Sequence, residues 1–157
     1  MELDKILMCD KPGLGLWQLW DTKLFNYMIP ELSLQFNYDQ NSEYHKLKLH
    51  EHTIKVVEAC PKDTNLKWSA LLHDIAKPFC RTDKFGELKP GLLSDNMPLI
   101  KSNYVGHEVL GAEMVRRIAL HLNWSNERTK AVVELVANHL NEDCPLRQYD
   151  NIGKNSI

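Results

Sequence analysis

The run Leu71-Leu72-His73-Asp74-Ile75-Ala76-Lys77-Pro78 sets an imidazole, a carboxylate and an ammonium at the end of an apolar segment. Burying such groups is costly unless each is paired, and a metal ion is the usual partner. Lys77 lies four residues after His73 and three after Asp74, so helical spacing can bring all three to one corner. Three more histidines share this setting. His52 falls on a helical face with Val56 and Ala59, His107 stands one turn before Leu110 and Gly111, and His139 follows Leu135 and Val136 by four and three residues. Four imidazoles and one carboxylate therefore sit on four segments, each with apolar neighbours, and the set points to a metal site. Imidazoles with one carboxylate suit a divalent transition metal (Mn, Fe, Co, Ni or Zn) and match Mg²⁺ less well. His121 shares a face with His107, but fourteen residues of helix span about 21 Å, so one ion cannot use both. His121 is expected to be structural or exposed, and His50 to face solvent.

The elements that must position these groups read as helices. Pro12 and Gly13 open a segment in which Leu16, Leu19, Trp20, Leu24 and Tyr27 recur at three- and four-residue spacings, and Pro30 closes it. Residues 37–48 are polar and read as a loop, and a short helix follows over 52–60. Leu66, Ala70, Leu71, Ile75 and Ala76 then carry a helix as far as Lys77, where Pro78 ends it. Residues 81–102, with Gly86, Pro90, Gly91 and Pro98, form a long loop of the kind that is often functional or mobile. A helix over about 104–122 turns Leu110, Met114, Val115 and Ile118 inward. Ser125 or Asn126 caps another, which carries Val132, Leu135, Val136 and Leu140 to about residue 141. No alternating strand pattern appears, and the expected fold class is all-α.

Composition narrows the classes. With 157 residues, 43% of them hydrophobic and 25% charged, the chain can bury a sizeable core as one domain. A formal net charge of −2 gives no global field for nucleic acid or an anionic membrane, although Arg116 with Arg117, or Lys46 with Lys48, could form a local patch. Cys9, Cys60, Cys80 and Cys144 form no CxxC pair, so a zinc finger is not indicated and free thiols of a reducing cytoplasm are expected. No apolar run is long enough for a transmembrane helix, and Glu2, Asp4 and Lys5 after Met1 do not resemble a secretory signal.

The order His52, His73-Asp74, His107, His139 resembles the HD superfamily of metal-dependent phosphohydrolases. The likeness is closer to one branch. "ILMCDKPGLGLWQLWDTKLFNYMIPEL" is similar to the helical region after the catalytic head of bacterial CCA-adding tRNA nucleotidyltransferases and poly(A) polymerases. "EYHKLKLHEHTIKVV", "WSALLHDIAKP", "YVGHEVLGAEMV" and "LVANHL" are similar to successive motifs of their HD domain. The resemblance implies an HD-domain helical bundle with an N-terminal helical extension: one domain over 1–157, with 1–44 packed on a core at 45–141. It implies that His52, His73 and Asp74 hold metal, that Lys77 meets phosphate, and that His107 is a further ligand or a phosphate contact. His139 stands where many HD proteins place an Asp, Ala76 where Gly is usual, and Lys48 where an Asp often precedes the first His.

The nucleotidyltransferase head would need a Gly-rich turn and a strand bearing paired carboxylates; neither is present in these residues, and nucleotide addition is not expected. The expected activity is hydrolysis of a nucleotide or cyclic nucleotide phosphate ester, with the ion acidifying an attacking water, Asp74 orienting it, and Lys77 countering charge at phosphorus. Arg81 is a second phosphate candidate. A deoxynucleoside triphosphohydrolase is an alternative, although only Lys77, Arg81 and Lys84 lie near enough in sequence to meet a triphosphate. A non-catalytic RNA- or protein-binding module is another, with RNA a possible partner of the N-terminal segment and its Trp17 and Trp20.

Overall fold

A computed structural model describes residues 2–42, 45–82 and 102–155. Eight α-helices account for most of them: α1 (Glu2–Met8), α2 (Pro12–Asp21), α3 (Phe25–Met28), α4 (Leu49–Ala59), α5 (Thr64–Leu72), α6 (His107–His121), α7 (Asn126–Ala137) and α8 (Arg147–Asn155). Two 3-10 segments, Pro30–Gln35 and Lys77–Phe79, complete the set. Extended pairing among the described residues is limited to two isolated bridges, Ser42 with His45 and Thr82 with Asn103. The fold is all-α, as expected. Most of the expected long loop, with Lys84, Gly86, Pro90, Gly91 and Pro98, lies outside the described residues.

Helix α4 is the central strut, packing against α2, α5 and α8, while α7 packs against α5 and α6. The core between them holds Leu16, Trp20, Val56, Trp68, Leu71 and Val136. The indole N–H groups of its two fully enclosed tryptophans are satisfied: Trp20 Nε1 donates to the Leu32 carbonyl at 2.8 Å, and Trp68 Nε1 to Asp4 Oδ1 at 2.6 Å. Ser125 is the N-cap of α7, its hydroxyl accepting from the Arg128 amide at 3.1 Å.

Several elements differ from the sequence reading. The segment over 13–29 is not one helix. Thr22 caps α2 and Lys23 takes a left-handed φ of 65°, which breaks the helical phase; Leu24 and Tyr27, expected inside, are exposed. Of the tryptophan pair, Trp20 is buried and Trp17 exposed. Leu110 and Leu140 also lie at the surface rather than inside. Helix α5 stops at Leu72, five residues before Lys77, because residues 73–77 turn by i→i+3 bonds, Ile75 N to Leu72 O at 3.2 Å and Lys77 N to Asp74 O at 3.1 Å. Pro78 has no N–H to continue an α-helical ladder onto Asp74 O. His50 is buried rather than solvent-facing, its Nδ1 accepting from the Asn37 amide at 2.9 Å. His121 is exposed. Helix α8 has no counterpart in the sequence reading, and α1 falls within the expected N-terminal helical extension without bounds of its own there.

Candidate metal centre

Helix ends deliver the polar groups to one place. His52 is one turn into α4, His73 caps the C-terminus of α5, and Asp74 follows it in the tight turn. His107 is the first residue of α6, and the preceding Gly106 has φ 83°, a left-handed conformation that glycine takes without strain. His139 lies just past the C-terminus of α7. All of these side chains are buried, and the sequence reading placed each of them in the site. The structure brings the five together and adds a sixth, Asp150 of α8, whose side chain is 2% exposed.

The two oxygens of Asp74 face different partners. Oδ2 lies 3.1 Å from His73 Nε2 and 3.4 Å from His52 Nε2. Asp150 Oδ1 closes this side, 2.9 Å from His52 Nε2 and 3.2 Å from His73 Nε2. Oδ1 of Asp74 lies 3.1 Å from His107 Nε2 and 3.6 Å from His139 Nε2. Two ligand groups result, His52-His73-Asp74-Asp150 and Asp74-His107-His139, and the ligand atoms within each lie within 4.8 Å of one another.

One local device orients three of the imidazoles. His73 Nδ1 donates to Ala70 O at 2.7 Å, His107 Nδ1 to Tyr104 O at 2.8 Å, and His139 Nδ1 to Val136 O at 2.6 Å. A carbonyl only accepts, so each Nδ1 carries a proton and each ring points its Nε2 inward, a lone pair whenever the ring is neutral. These lone pairs meet carboxylate oxygens and one another: His52 and His73 Nε2 are 3.2 Å apart, His107 and His139 Nε2 3.1 Å. Acceptors gathered at such distances require protons or a cation between them. Asp74 Oδ2 makes no hydrogen bond although it is buried. Nitrogen and oxygen donors with ring N–H groups tied to carbonyls are the donor set of a divalent transition metal, and the residues fit one.

Electrostatics agrees. Burial would raise both carboxyl groups, yet His73, Lys77, His107 and His139 hold Asp74 well below the ordinary carboxylate range, and His52 and His73 do the same for Asp150. Burial disfavours charge on His73, but Asp74 and Asp150 outweigh it and lift the imidazole to about 10. Without a metal, a proton on His73 is what the two carboxylates hold.

The centre opens into a cleft of about 480 Å³ whose walls include Asp74, Lys77, Tyr104, His107, Asp150 and Lys154. Lys77 donates to Gln40 Oε1 at 2.7 Å and stands 3.4 Å from both His45 Nε2 and Asp74 Oδ2. Burial and the Lys77 charge push His45 down to about 3, so its neutral ring can accept from that ammonium. Arg81 is buried and is not among the described residues lining the cleft.

Asp150 escaped the sequence reading because "RQYDNIGKN" has no apolar stripe. The available signals were Pro145 ahead of a short helix, with Leu146 before the Asp. Gly153 is a third: a Cβ there would meet Val56 Cγ2 at 2.6 Å and His52 Cε1 at 3.0 Å, so glycine lets α8 lie close against α4.

Residues 44–147 match a family model described as "HD domain", and residues 1–35 one described as "Probable RNA and SrmB- binding site of polymerase A". Over 146 residues, 88% of this chain and 30% of the relative, the sequence is 27% identical to a CC-adding tRNA nucleotidyltransferase of Thermus thermophilus. It is 25% identical, with the same coverage, to an A-adding tRNA nucleotidyltransferase of Deinococcus radiodurans. The chain thus spans under a third of the length of these curated relatives. No helix among the described residues is long and apolar enough to cross a membrane.

Proposed function

The chain belongs to the HD domain family, and from that premise we propose that it is a metal-dependent phosphohydrolase acting on a nucleotide or cyclic nucleotide phosphate ester. The observation that carries the reading is the shared carboxylate. Asp74 offers one oxygen to His52, His73 and Asp150 and the other to His107 and His139, so two divalent ions could sit side by side under one cleft. Ions there would supply positive charge that polarises a phosphoryl oxygen and acidifies water. The chain's own residues do the rest. The three Nδ1–carbonyl bonds hold the rings, and Asp150, 2.9 Å from His52, fixes α8 against α4. The ligand side chains themselves are buried, which strengthens charge interactions among them.

The match of residues 1–35 supports a second reading, an RNA-binding module whose HD centre does not turn over. A panel of 2′,3′-cyclic NMPs, 2′- and 3′-NMPs, dNMPs and dNTPs with Mn²⁺, Co²⁺, Ni²⁺ and Mg²⁺ separates them, with Asp74→Asn as control. Turnover lost in the variant supports the hydrolase. Cyclic-phosphate opening would favour the diesterase form, and triphosphate release the deoxynucleoside triphosphohydrolase form. A folded protein inactive throughout would favour the RNA module.

A further inference from the structure

We propose that the substrate phosphate is met by Lys154 of α8, while Lys77 holds Asp74 in place. The inference rests on the phosphohydrolase reading above. An ammonium has three N–H donors. For Lys77, three acceptors already surround it: Gln40 Oε1 at 2.7 Å, His45 Nε2 at 3.4 Å and Asp74 Oδ2 at 3.4 Å. The face of Tyr104 lies 5.3 Å from its Nζ, and Tyr104 in turn donates its hydroxyl to Gln40 O, so the pocket around Lys77 is built by the chain itself. Lys77 is 3% exposed, and turning the donor it gives Gln40 to a ligand would leave that buried amide oxygen unpaired.

Lys154 differs on each count. It stands one helical turn after Asp150, its side chain is 22% exposed, and it lines the same cleft. Its Nζ lies 3.6 Å from Asp150 Oδ2, beyond hydrogen-bond length, and it makes no hydrogen bond among the described residues. Asp150 turns Oδ1 to His52 and His73 and Oδ2 toward Lys154, which sets a charged group with free donors beside the centre. Arg81 does not line the cleft, so Lys77 and Lys154 are the lysine and arginine side chains on its described walls. Lys154 is then a substrate-binding residue, and Lys77 a positioning residue acting through Asp74.

Inorganic phosphate titrated calorimetrically into the Mn²⁺-loaded chain tests this. Lys154→Met is expected to weaken phosphate binding about tenfold to a hundredfold, the worth of one charge-assisted hydrogen bond, with Mn²⁺ content unchanged. Lys154→Arg, which keeps the charge, should recover most of the loss. Lys77→Met, which removes the cation 3.4 Å from Asp74 Oδ2, should change Mn²⁺ content and not the phosphate affinity of protein that has bound Mn²⁺. Phosphate affinity in Lys154→Met equal to wild type overturns the assignment and leaves the hydrolase reading standing. A loss that tracks loss of Mn²⁺ in Lys154→Met also overturns it, since Lys154 would then act only through Asp150. No phosphate binding by Mn²⁺-loaded wild type overturns the hydrolase reading, and the assignment with it.

Discussion

The two sides of Asp74 are built unequally. The Oδ2 side gathers His52, His73 and a second carboxylate, Asp150, from α4, the end of α5 and α8. The Oδ1 side has only His107 and His139, from the start of α6 and the end of α7. The Oδ2 side adds a carboxylate of its own to the shared one, whereas the Oδ1 side has the shared one alone. The Oδ2 side is therefore expected to hold its ion more tightly, and the Oδ1 side to leave more of the coordination sphere open to water and substrate. The lesson is that one tight turn, residues 73–77, serves both positions, because ending α5 early swings Asp74 between them.

Substitutions can break or sharpen that contrast. Asp74→Asn removes the group common to both sides, and hydrolysis should fall on the order of a thousandfold with both ions lost, as turnover and metal analysis will read. Next in size is a pair of single-side changes. Asp150→Asn should weaken the tighter ion, whereas His139→Gln should release the weaker one and spare the other. Competition titration of Mn²⁺ distinguishes them, and identical profiles for the two variants would mean that the sides are not separate.

Gly153→Ala removes no ligand, although it crowds one, His52. Its Cβ would press on Val56 and His52, so α8 must move outward, at about 1–3 kcal/mol of stability. A lower melting temperature with weakened tight-site Mn²⁺ binding is expected; unchanged values would show that Asp150 does not depend on close α4–α8 packing.

The smallest effect is one of pH. In chelated protein, burial works against charge on His73, and Asp74 and Asp150 raise it to about 10. A raised folded-state pKa gives stability that is complete below the unfolded value near 6.5 and lost as pH rises through about 10. Melting of the metal-free chain should therefore decline between about pH 7 and 10, and less so when Mn²⁺ replaces the proton.

Five of the six centre residues were legible because each sits at the edge of an apolar periodic segment, where a buried polar group stands out. Asp150 was not, since α8 has no apolar stripe, and the Asp150–His52 contact and close approach at Gly153 that hold it appear only in the folded chain. His50 misled for a related reason. Helical phase at the entrance of α4 does not reveal that the Asn37 amide comes in to cover the ring. Leu24 and Tyr27 kept a helical spacing that the left-handed Lys23 had already broken.

The central claim is that Asp74 bridges two cation positions. Equilibrating the chain with Mn²⁺, removing free ion and counting bound metal per chain tests it most directly. The account predicts two equivalents of unequal affinity in wild type and none in folded Asp74→Asn. A wild-type protein that binds one Mn²⁺ or none, or an Asp74→Asn variant that keeps the wild-type stoichiometry, would contradict it.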